Sequence, residues 1–159
     1  MDLDFIRRRW LSLGIVVRPG LSETQLQAFE QRHGVRLPAE LRAFYRFMDG
    51  MEYGCMDEAL HCFWPLSEVA AVPGRLSGCR GIPDYGGIES ALPDAESYYV
   101  FADHSIWLCL FAIRLSADPV HSAAVLCIGD GRTWAVVAPS FGVFLERYMA
   151  DPWSILVAE

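Results

Sequence analysis

The sequence contains no lysine. All 13 of its basic residues are arginine, and 20 acids outnumber them to leave a net charge of −7. A chain so balanced repels phosphate backbones and anionic lipid, so neither nucleic acid nor a membrane is expected as a partner, whereas a cationic one is favoured. No apolar run reaches the roughly 20 residues that a bilayer-spanning helix needs. There is no CxxC pair, and the five cysteines, Cys55, Cys62, Cys79, Cys109 and Cys127, are odd in number. They read as reduced thiols of a cytoplasmic protein rather than as a disulfide framework. Neither Gly86-Gly87 nor Gly129-Asp130-Gly131 extends to a P-loop or a dinucleotide fingerprint. The Arg7 to Arg9 run ahead of Trp10 to Val17 is not expected to be an export signal, because the apolar stretch is short, holds Ser12 and Gly14, ends at Arg18 and lacks a small-residue cleavage site.

What remains is apolar and aromatic. Of 159 residues, 53% are hydrophobic and 13% aromatic against 21% charged, enough to build a core without disulfides or metals and to bury roughly 70% of the unfolded surface. One domain over residues 1–159 is expected, with neither internal repeats nor low-complexity tracts.

The first part reads as helices. Leu3, Ile6, Trp10 and Leu13 recur at three- and four-residue spacing up to Gly14, which leaves Arg7 to Arg9 on a solvated face. Ser22 and Gln25 form a capping box, flanked by Leu21 and Leu26, for a second helix that Gly34 ends. Pro38 opens a third, whose Leu41, Phe44, Tyr45 and Met48 make one buried stripe and which Asp49 and Gly50 stop. His61 to Trp64 reads as a short strand and Pro65 to Ala71 as a helical turn or two. Residues 73 to 97, punctuated by glycine and proline, read as a long binding loop.

The last part reads as strands. Tyr98 to Ala102 and Ile106 to Ile113 are separated by a turn at Asp103, His104 and Ser105, and Ala123 to Ile128 and Thr133 to Ala138 flank an Asp130-Gly131 hairpin. Ser140 caps a final helix carrying Phe141, Phe144, Leu145 and Tyr148 on one side, closed by Asp151 and Pro152.

Catalytic and metal-binding patterns are thin. Three consecutive residues at a strand turn cannot converge as a Ser-His-Asp triad, which sets Asp103, His104 and Ser105 aside. His61 and Cys62 are strand neighbours pointing to opposite faces. Cys55, His61, Cys62 and Cys79 lack the short chelating pair of a zinc site. Trp64, Trp107 and Trp134 read as core aromatics.

Four stretches, Gly20 to Glu30 with His33 to Pro38, Leu41 to Gly50, Val100 to Asp103 and Ser140 to Tyr148, resemble the SUKH superfamily. Its members are related to a yeast regulator of cell-wall synthesis and abound in bacteria as immunity proteins of polymorphic toxin systems. Asp49 stands where members often carry asparagine, and Met51 to Glu96 matches nothing in the pattern. The resemblance implies an α+β domain, with an antiparallel or mixed sheet packed by N- and C-terminal helices. It implies a role in binding a protein without family-wide catalytic residues or a cofactor. The expected partner is a cognate toxin domain, a basic nuclease for example, occluded by a monomer or weak homodimer. A scaffold in cell-envelope signalling and a small hydrolase using His104 or Cys62 are the alternatives.

Charge locates the expected surface. Residues 1–46 carry eight Arg and five acids, residues 47–113 two Arg and ten acids, and residues 114–159 three Arg and five acids. The acidic middle holds Asp49, Glu52, Asp57, Glu58, Asp84, Glu89, Asp94 and Glu96 among Tyr53, Tyr85 and Tyr98. Together these combine steering of a basic partner with large, rigid contact residues.

Overall fold

A computed structural model describes residues 1–118 and 124–156. The first helix, α1 (Leu3–Ser12), is capped by Asp2, whose carboxylate accepts the Phe5 amide, and it buries Ile6 and Trp10. Helix α2 (Glu23–His33) carries the expected capping box, with Ser22 Oγ accepting from the Gln25 amide and Gln25 Oε1 from the Ser22 amide. Gly34, at φ +65°, ends it in the left-handed conformation that glycine adopts at least cost. Helix α3 (Ala39–Phe47) follows Pro38 and buries Leu41, Phe44 and Tyr45, with Met48 buried just beyond it.

Asp49 and Gly50 do more than stop α3. They lie within β2 (Met48–Met51), which pairs antiparallel with β1 (Val17–Pro19). Within β2, Gly50 has φ +69°, and a Cβ there would sit 2.6 Å from the Phe63 carbonyl oxygen and 2.7 Å from that of Trp64, so only glycine fits. Strands of three and four residues show no period of two in the sequence.

The main sheet is antiparallel throughout. It comprises β3 (His61–Phe63), β4 (Ala70–Ala71), β5 (Tyr98–His104), β6 (Cys109–Arg114), β7 (Val125–Ile128) and β8 (Trp134–Ala138), in the order β3-β5-β6-β7-β8, with β4 also pairing with β5. The turn expected at Asp103 to Ser105 is displaced: Asp103 and His104 continue β5, and residues 105–108 form the turn, so the strand expected from Ile106 begins at Cys109. Of the strand expected from Ala123, Ala123 itself lies outside the described residues.

Both faces of this sheet are covered. Helices α1 to α3 and the last helix, α6 (Phe141–Ala150), close over Phe63, Phe101, Phe111 and Ile113 on one side. Ser140 caps α6, and the Gly142 amide donates to Glu40 Oε2 at 2.8 Å, fastening its start to α3. The segment expected to be a loop from residue 73 to 97 covers the other side. It contains α4 (Val72–Leu76) and α5 (Ile88–Ala91), and its Leu76, Tyr85, Ile88 and Leu92 pack on Trp64, Val100, Leu110 and Leu126. Helices of five and four residues are too short to show a period, yet each apolar side chain they bury contributes about 1.5–3 kcal/mol. The central strands are therefore apolar at successive positions, as expected of strands covered on both faces.

Candidate functional site

The residues of the expected acidic surface divide into two groups. Four are inside. Asp49 accepts the Leu66 amide at 2.7 Å and the Arg18 guanidinium at 3.3 Å; burial raises its pKa and those two donors oppose the rise. Asp57 caps its own turn by accepting the Ala59 and His61 amides at 2.9 and 2.8 Å, and the Tyr148 hydroxyl donates to its other oxygen. Burial alone would push Asp57 up, but His61 and the Tyr148 hydroxyl hold it below the ordinary carboxylate value. Tyr85 is 2% exposed and Tyr98 9%, both in the smaller core beneath α4 and α5.

The other seven are exposed, and they occupy two stretches. Glu52, Tyr53 and Glu58 lie between β2 and β3; Asp84, Glu89, Asp94 and Glu96 lie between α4 and β5. Arginines already neutralise several, since Glu52 pairs with Arg18, Glu58 with Arg9, Asp84 with Arg80 and Asp94 with Arg114. Among the described residues, Glu89 and Glu96 make no ion pair.

Hydrogen bonds tie both stretches to the β5–β6 turn, which the sequence placed two residues early, at Asp103 to Ser105. Ser105, Ile106 and Trp107 all have left-handed backbone, at φ 51°, 54° and 67°, a conformation that costs a non-glycine residue about 1–2 kcal/mol. No glycine or asparagine marked the place as a turn. The geometry is held from beneath by Asp103, whose Oδ1 accepts the Trp107 amide at 3.2 Å and whose Oδ2 accepts Trp64 Nε1 at 2.6 Å. Burial raises the Asp103 pKa and the two N–H donors oppose it. The Trp107 ring lies 5.4 Å from that of Trp64, and the Arg75 guanidinium stands over both, 4.9 Å from Trp64 and 5.3 Å from Trp107. The Tyr85 hydroxyl donates to the Trp107 carbonyl at 2.7 Å.

On the helix side of the same end, His61 and His104 stand opposite each other in register with ring centroids 4.9 Å apart. Among the described residues, neither ring nitrogen of either has a hydrogen-bond partner; His61 Nδ1 is 3.8 Å from Asp57 Oδ1, beyond hydrogen-bonding distance but within electrostatic reach. His104, 5% exposed, lies under the Trp153 ring and borders an open groove that Leu108 and Asp130 also line.

Cys62 does not join them. It pairs in register with Asp103 and packs with Trp64 on the opposite face, and burial pushes its thiol up to about 12. The Cys62 and His104 of the hydrolase alternative thus do not converge. Among the described residues, no group of three or more His, Cys, Asp or Glu gathers as a metal site, and no helix is long and apolar enough to cross a membrane.

The family model described as SMI1 / KNR4 family (SUKH-1) matches residues 20–147, from two residues before the α2 cap to the last turn of α6. No curated protein matches the chain.

Proposed function

The chain belongs to the SMI1 / KNR4 family (SUKH-1), and from that membership we propose that it is an immunity-type protein, which binds a cognate toxin domain inside the producing cell and occludes its active site or substrate channel. The observation that carries this reading is the family match across residues 20–147, most of the chain. The charge distribution supports it. Seven of the acidic and tyrosine residues marked by the sequence are exposed on the 52–58 and 84–96 stretches, and a net charge of −7 steers a basic partner toward them. Binding of this kind requires no cofactor and no catalytic residue. Both faces of the sheet are covered, so contact is made by the covering segments and turns rather than by an open sheet face.

Glu89 and Glu96 are the residues with which to test the electrostatic part, since neither makes an ion pair among the described residues. The double variant Glu89→Arg, Glu96→Arg is expected to bind a purified candidate toxin domain, taken from the gene neighbourhood, about tenfold more weakly, mainly through a slower association that depends less on salt. Its melting temperature should stay close to that of the wild type. Unchanged affinity and salt dependence would remove this acidic stretch from the binding surface.

A further inference from the structure

Five non-glycine residues of the described chain have left-handed backbone, and four of them, Leu60, Ser105, Ile106 and Trp107, meet at one point. The Ser105 amide donates to the Leu60 carbonyl at 2.8 Å, which joins the end of the 52–60 stretch to the β5–β6 turn. Isoleucine is among the residues least suited to that conformation, because its branched Cβ crowds the backbone. A glycine or asparagine would make the same turn with less strain. Nor does burial explain the side chains: Ile106 is 79% exposed, Leu108 49% and Leu60 41%. The turn is nonetheless rigidly held, by Asp103 and Tyr85 below it and by the stacked Trp64, Trp107 and Arg75.

Strain that its surroundings over-determine, and apolar side chains held in water, are each features that gather at functional sites. Here they coincide, and hydrogen bonds tie the turn to both acidic stretches. The Leu60 bond ties the turn to the stretch bearing Glu52 and Glu58, and the Tyr85 bond ties it to the stretch bearing Asp84 and Glu89. An apolar centre within a charged rim is the usual anatomy of a protein interface, and a preformed anchor loses little freedom on binding. We infer that the β5–β6 turn is the central anchor of the partner interface, inserting Ile106 and Leu108 into an apolar recess that the toxin domain rims with cationic side chains. The assignment rests on the immunity reading above, and it moves the main contact from the acidic stretches to the turn between them.

The test uses Ile106→Asn, whose asparagine suits left-handed backbone, and Leu108→Ser as a second variant. Each is titrated against a candidate toxin domain taken from the gene neighbourhood, with melting temperature and oligomeric state measured alongside. Ile106→Asn should melt at or above the wild-type temperature while its affinity falls at least about tenfold, and Leu108→Ser should lose affinity by a similar factor. Two well-folded variants that bind within about twofold of a wild type that does bind would overturn the anchor and leave the immunity reading standing. A wild type that fails to bind would remove the immunity reading and the anchor with it. A wild-type dimer dissolved by Ile106→Asn would instead assign the turn to a second copy of this chain and overturn the proposed occupant.

Discussion

His104 shows how a single side chain sets a condition on stability. Burial lowers its pKa and the neighbouring His61 lowers it further, while Asp57 and the Ala59 backbone oppose the shift without cancelling it. The folded chain therefore resists a proton that the unfolded chain accepts near the ordinary value of 6.5. Its stabilising effect is complete above that value and is lost as pH falls below it. Asp57 acts in the same sense at lower pH, because its folded pKa is depressed. The melting temperature should fall between about pH 7 and about pH 5, and His104→Phe, which removes the titrating ring and keeps an aromatic surface toward Trp153, should flatten that slope. Equal slopes for the two proteins would contradict the assignment. Such roles were not legible beforehand. Asp49 and Asp57 read as surface acids because most acids are, and what draws them inside is the need of the Leu66, Ala59 and His61 amides for an acceptor. For Asp49 that need exists only once Leu66 meets it; for Asp57, whose amide donors are local, the distant partner is the Tyr148 hydroxyl.

Elements were legible where their determinants are local. The Ser22–Gln25 capping box, Gly34 and the Ser140 cap are fixed by residues within a turn of one another, and the ends of α2 and the start of α6 fall where those residues place them. The β5–β6 turn was legible only as a turn placed two residues early, because its backbone is imposed by Asp103, Trp64 and Tyr85 instead of by glycine. The short helices between residues 72 and 91 were lost for want of length, and so a second cover of the sheet read as a loop. Gly50 marks another long-range constraint, since β2 bends there against the carbonyls that follow β3. Gly50→Ala should destabilise the fold by about 2–5 kcal/mol, combining the left-handed penalty with overpacking, as read from denaturant unfolding. A loss below about 0.5 kcal/mol would mean that the close approach relaxes freely.

At the scale of the whole molecule, the order of helices, sheet and final helix was visible in the pattern of apolar residues, and the family match covers the same stretches. The shape of the proposed interaction surface was not, because it depends on which acids turn outward and on a turn tied to two separate stretches of chain. On the proposed reading the protein works by covering another and stays bound while it does so. The most direct test is to titrate the purified chain into a candidate toxin domain taken from its gene neighbourhood and follow the activity of that toxin. Activity should fall in proportion to the protein added and vanish near about one molar equivalent, as for a tight stoichiometric complex. Full activity in the presence of a many-fold excess, or complete loss at a small fraction of an equivalent, would contradict it.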